Sequence, residues 1–98
     1  MKITLPTWDT YCENTTGKNA LVFNIGDSLR VWYSYKTPIA FKYNGGGIVV
    51  RVNDWRQTTG KHLNAIDGGD KKSRVPGADF EHAIAQCLEG LNLELPSV

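Results

Sequence analysis

Long apolar runs are missing from this chain. No stretch approaches the roughly 18 residues that a membrane-spanning helix needs, and MKITLPTWDT at the N-terminus has no apolar segment of the kind a secretion signal carries. A soluble, cytoplasmic protein with no membrane partner is therefore the expectation. Cysteine is scarce too: Cys12 and Cys87 lie too far apart for a metal knuckle, and without a secretion signal they are expected to be reduced thiols. By the same logic the glycosylation pattern Asn14-Thr15-Thr16 has no consequence. The spacings that mark catalysis are also lacking, with no HExxH, no paired CxxC and no Gly-x-Ser-x-Gly to supply a metal or an activated nucleophile. Gly17-Lys18 and Gly60-Lys61 have neither the earlier glycine nor the Ser/Thr after lysine that a nucleotide-binding loop requires. No enzyme, no cofactor and no metal site is expected.

Nor does one sign of charge dominate. The net charge is +1, and strong nonspecific duplex binding draws on many more lysines and arginines to displace counterions from phosphates. The distribution is uneven, however. Residues 51 to 74 hold Arg51, Arg56, Lys61, Lys71, Lys72 and Arg74 against Asp54, Asp67 and Asp70, while residues 75 to 98 hold only Asp79, Glu81, Glu89 and Glu94. The middle is basic and the end acidic, so a local polyanion contact stays open.

What is present suits one globular core. Apolar residues make up 41% and charged residues 21% of 98 residues, which predicts a single domain over 1–98. Ile3-Thr4-Leu5 suggests a brief edge strand stopped by Pro6, and Trp8, Tyr11 and Cys12 at i, i+3, i+4 suggest one or two helical turns over 7–14. Residues 20–25 are β-prone, then Gly26-Asp27-Ser28 turns the chain into a strand from Leu29 to Tyr35. Its alternation puts Leu29, Val31, Tyr33 and Tyr35 on one face and Arg30, Trp32 and Ser34 on the other. Pro38 predicts an edge, bulge or break, after which Ile39, Phe41 and Tyr43 alternate up to Asn44-Gly45-Gly46-Gly47, and Ile48, Val50 and Val52 form the second arm of a hairpin.

Thr58 or Thr59 is placed to cap a helix over about 58–66, with Leu63 and Ile66 facing the sheet and Lys61 and Asn64 facing outward. Asp79 is placed to cap a second helix over about 79–90, whose stripe of Phe80, Ala83, Ile84, Cys87 and Leu88 ends at Gly90 in a left-handed conformation. Residues 91–95 alternate as a strand would. The expected architecture is α+β: an antiparallel sheet of four to five strands with both helices packed on one face.

Three groups of residues are candidates for binding. Thr58, Thr59, Lys61 and His62 sit at a helix start, where free N–H groups attract anions. The competing structural reading has a threonine capping the helix and His62 bonded to Tyr35 or Ser34, locking helix to hairpin. Lys71, Lys72 and Arg74 form a polar loop. Trp32 shares a polar face with Arg30 and Ser34 and is the aromatic expected to stay exposed, although most aromatics of so small a domain belong to its core. His82 on a helix flank and Cys87 in the apolar stripe read as structural.

SYKTPIAFKYNGGGIVVRVNDWRQTTGKHLNAI, from Ser34 to Ile66, resembles small, largely uncharacterised proteins of bacteriophages and other mobile elements. Their pattern is Ser-Tyr-x-Thr-x-hydrophobic-Ala, a hairpin, an aromatic, then Thr-Thr-x-Lys-His-hydrophobic-Asn. It is carried here by Ser34, Tyr35, Thr37, Ile39, Ala40, Trp55, Thr58, Thr59, Lys61, His62, Leu63 and Asn64, with Arg56 and Gly60 where serine is common. The resemblance implies a viral or mobile-element origin more than an activity. Joined to the eliminations above, it leads to the expectation of a non-catalytic accessory protein in the host cytoplasm. Its partner is expected to be a host macromolecule, a host protein first, for example one of a defence system. The runner-up is a nucleic-acid-binding module that uses the Thr58 to His62 helix start and the basic loop 71–74. An enzyme ranks third.

Overall fold

The computed structural model describes residues 6–11, 20–26, 28–53 and 57–95, apart from the side chains of 57–59. Five strands, β1 (Thr7–Thr10), β2 (Ala20–Ile25), β3 (Leu29–Ser34), β4 (Thr37–Tyr43) and β5 (Ile48–Val50), pair antiparallel in chain order. Helix α1 (Gln57–Asp67), a 3-10 turn (Lys71–Ser73) and helix α2 (Gly77–Leu91) follow. The class is α+β, as the alternating strands and helical stripes predict.

Strand pleating sorts the side chains into two rows. Trp8, Phe23, Val31, Phe41 and Val49 stand opposite one another across all five strands, while Val22, Trp32, Ala40 and Val50 form the neighbouring row. Because successive residues of a strand point to opposite sides, these rows lie on opposite faces. The first face packs Phe23, Leu29, Val31, Tyr33 and Phe41 against Phe80 and Ile84 of α2. The second packs Val22, Trp32, Ala40 and Val50 against Leu63 of α1, with Ile39. The two helices therefore sandwich the sheet, where the sequence suggested that both cover one face.

A short parallel pairing explains the difference. Beyond β5, the Val52 N–H donates to the Val75 carbonyl and the Val75 N–H to the Val50 carbonyl, each at 2.8 Å, in an isolated parallel bridge of Arg51 with Val75. A parallel pairing obliges the chain to return along the sheet before it can pair again, and α1 makes that return on one face. The chain leaves Val75 through Pro76 and enters α2 on the other.

Other boundaries differ for local reasons. Residues 7–10 form β1 rather than helical turns, since Trp8 at i and Tyr11 at i+3 fit a helix but Trp8 pairs with Phe23 across the strands, its ring tilted against it at 5.0 Å. Helix α1 starts at Gln57, which puts Thr58 and Thr59 inside its first turn instead of ahead of it. Helix α2 starts at Gly77 after Pro76 with no side-chain cap, so Asp79 lies in its first turn, where it complements the helix dipole. The left-handed terminator is Asn92, at φ 55°, and not Gly90. Gly90 lies within the helix beside Tyr43, where a Cβ would stand 3.4 Å from the hydroxyl, an ordinary contact. Residues 93–95 form no strand. Pro38 lies in β4 opposite a shift of register between Trp32 and Tyr33, the irregularity its missing N–H predicts. The suggested strand over Ile3–Leu5 lies outside the described residues, as does Cys12.

Candidate functional site

The parallel bridge carries Val52 and Asn53 past the end of β5, beside the outer side of α1. On α1, Gly60, Lys61 and Asn64 fall within one turn of each other, the i, i+1, i+4 set that shares a helix flank. Gly68 and Gly69, at φ 68° and 87°, then turn the chain back sharply enough for Lys71 and Arg74 to face that flank. Among the described residues, Val52, Asn53, Gly60, Lys61, Asn64, Lys71 and Arg74 line an open cleft of about 670 Å³.

Arg74 is the fixed cation of this cleft. Its Nε donates to Asp67 Oδ2 at 2.7 Å, and its Nη2 donates to Asp67 Oδ1 at 3.0 Å and to Asn64 Oδ1 at 2.9 Å. This is a forked guanidinium–carboxylate pair of the strong kind, and the Arg74 and Asp67 side chains are only 4% and 11% exposed. The Arg74 hydrogen bond holds the Asp67 carboxyl below its ordinary range against the opposing effect of burial, and Asp67 holds the guanidinium pKa up in return. Lys61 and Lys71 are exposed, so their ammonium groups stay solvated. The cleft thus has one rigid and two mobile cations, with carboxamides from Asn53 and Asn64.

Removing the charge of Asp67 should open this corner. Asp67→Asn replaces one acceptor oxygen of the fork by a donor and leaves a sheltered guanidinium without its anion, which predicts a loss of about 2 kcal/mol in urea unfolding. Asp70→Asn, at an exposed carboxylate that accepts only from Ser73 Oγ among the described side chains, should change stability by less than about 1 kcal/mol. The Asp67 contribution is present above pH 3.8, the ordinary value, and disappears as pH falls through the lowered folded value.

The remaining candidates are placed as follows. Lys72 is exposed on the 3-10 turn next to the cleft. The side chains of Thr58 and Thr59 lie outside the described residues. His62 is fully buried; its Nδ1 shares a 2.7 Å hydrogen bond with Ser34 Oγ, the lock between helix and hairpin that the structural reading of the sequence expects. Burial lowers the imidazole pKa below its ordinary 6.5. Trp32, expected to be exposed, is 7% exposed because α1 covers its face. Arg30 lies over the Trp32 ring at 5.4 Å and donates to Asn24 Oδ1 at 2.7 Å, and neither residue lines the cleft. Trp8 and Tyr35 are exposed instead, at 43% and 45%. Half-buried Cys87 is a free thiol whose pKa burial pushes up, a packing role and not a reactive one. No group of three or more His, Cys, Asp or Glu among the described residues is arranged to hold a metal, and none of the described helices is long and apolar enough to cross a membrane.

Asn53, Asn64 and Val52 complete the cleft but carry no ligand signal in the sequence. Gly60 is the trace that could have pointed to them. A Cβ at that position would stand 3.1 Å from Asn53 Nδ2, so the glycine lets α1 close on the Asn53 side chain.

The profile of a family of unknown function, DUF8033, matches residues 7–82, a span from β1 into α2 that includes every residue of the cleft. The chain belongs to DUF8033. No curated protein and no solved structure matches it. The DUF8033 match thus covers the whole sheet, α1 and the forked Asp67–Arg74 pair, and leaves out most of α2.

Proposed function

We propose that this protein is a non-catalytic accessory protein that binds a host macromolecule, and that its cleft takes the phosphate backbone of a single-stranded nucleic acid. The observation that supports this is convergence: Lys61 on α1 and Lys71 and Arg74 after it, distant in sequence, line one cleft with Lys72 beside it. The resemblance to phage and mobile-element proteins supports a target in the host. A strand fits better than a duplex, since a net charge of +1 gives few cations to spread over a duplex surface. Fluorescence anisotropy of a labelled oligonucleotide tests the reading. Contacts from about three cations give a log–log salt slope near −2, and hence roughly fifteenfold weaker binding at 200 mM than at 50 mM salt. Lys61→Ala should flatten the slope by about 0.7. Binding that ignores salt and survives Lys61→Ala would overturn it.

A host protein as partner is the second reading, favoured by the exposed Trp8 ring, which lies tilted 5.0 Å from Phe23 and 5.4 Å from Tyr33. Capture of one host protein that is insensitive to salt and lost in Trp8→Ala supports that reading.

A further inference from the structure

The geometry points to the cleft as a site for one terminal phosphate group, carried by a nucleotide-sized ligand or by the end of a strand. We infer this from the way Arg74 is bonded. Three of its donor contacts are committed, two to Asp67 and one to Asn64, and among the described residues its Nη1 has no partner. The side chain as a whole is 4% exposed, and Arg74 is one of the residues that line the cleft. A guanidinium whose orientation is fixed by three hydrogen bonds, with one donor nitrogen uncommitted at the wall of the cleft, is preorganised to donate to a single anion.

The neighbouring charges set the class of anion. Asp67 pairs with Arg74, which leaves Lys61 and Lys71 as the lining cations without an ion pair among the described residues. Two ammonium groups match a dianionic phosphomonoester better than a carboxylate or the single charge of a backbone phosphodiester. The volume, about 670 Å³, lies in the range of small-molecule sites and exceeds what a bare phosphate fills. Beyond the cations, the Asn53 and Asn64 carboxamides make the described lining polar, as a sugar requires, and no aromatic ring is among the described lining residues. A phosphorylated sugar unit is the ligand that this described lining fits.

This inference rests on the cleft proposed above as the binding surface, and the experiment separates the two. Titration calorimetry on the full chain compares AMP with adenosine, and a 5′-phosphorylated with a 5′-hydroxyl pentanucleotide. AMP is expected to bind at least tenfold tighter than adenosine, and the phosphorylated oligonucleotide at least tenfold tighter than its hydroxyl counterpart. Lys71→Glu should weaken AMP at least tenfold, while Lys42→Glu, at an exposed position outside the cleft, should leave it unchanged. AMP binding without oligonucleotide binding assigns the site to a free nucleotide and removes the polymer reading alone. Equal affinity for both oligonucleotides, with AMP no better than adenosine, overturns the terminal-phosphate site and leaves backbone binding standing. AMP binding that ignores Lys71→Glu places the ligand elsewhere and also overturns it.

Discussion

Phe80→Ala should cost about 3–5 kcal/mol of unfolding free energy, the range for deleting a fully buried aromatic side chain. Phe80 is 1% exposed and is the main residue by which α2 holds its face of the sheet. Its ring sits 5.5 Å from Phe41 at a 60° tilt, a ring contact that adds to simple burial, and the Arg51 guanidinium lies 5.6 Å from the ring centre. Truncation removes both contacts and leaves a cavity between helix and sheet. A domain of this size is stable by only about 5–15 kcal/mol, so the loss is a large share of the total. Urea titration should give a lower midpoint at unchanged slope, with Phe80→Leu recovering much of the loss and His82→Ala, on the exposed flank, showing almost none. A loss below about 1 kcal/mol in Phe80→Ala would mean that α2 does not pack where Phe80 meets Phe41.

Those packing contacts were only partly legible in the sequence. The Phe80, Ile84, Cys87 stripe marked a core-facing helix, and the period of two in residues 29–33 and 39–43 marked β3 and β4, because successive strand residues point to opposite faces. Which face each helix covers was not legible. It depends on a parallel bridge made by one residue, Val75, between a polar turn and a proline, and a single residue has no periodicity. The same blind spot misplaced Trp32. Its neighbours Arg30 and Ser34 made the face look polar, yet α1 lies across part of it, burying Trp32 and Ser34 and leaving Arg30 outside. At the cleft, Lys61, Lys71 and Arg74 could be named from charge alone. That Arg74 is held by Asp67 across the Gly68-Gly69 turn could not, since seven residues of spacing bring two side chains together only once the turn is known.

His62→Ala is the second large effect, and it carries a pH signature that distinguishes it from ordinary loss of packing. The imidazole is fully buried on the α1 side of the sheet, with Tyr11 and Tyr35 ring centres each 6.0 Å away and Ser34 Oγ at 2.7 Å from Nδ1. Deleting it removes the hydrogen bond and the ring together, which predicts a loss of about 2–4 kcal/mol and a fall in Tm of roughly 10–20 °C. The pH dependence follows from Nε2, which is buried and without a hydrogen-bond partner among the described residues. A second proton on the ring would place a charge and an unsatisfied N–H in the core, so burial keeps the folded-state pKa below the ordinary 6.5. The unfolded chain, with an ordinary histidine, then binds a proton that the folded chain refuses. Stability is therefore complete above pH 6.5 and declines as pH falls from there toward the lowered folded value, below which the term levels off. In His62→Gln, which keeps a side chain able to bond Ser34 but cannot titrate, that decline should vanish while the loss at pH 8 stays smaller than in His62→Ala. Thermal melts of the three proteins between pH 8 and pH 5 supply the comparison. A wild-type slope that persists in His62→Gln would place the acid sensitivity on another group and leave the buried imidazole with a packing role only.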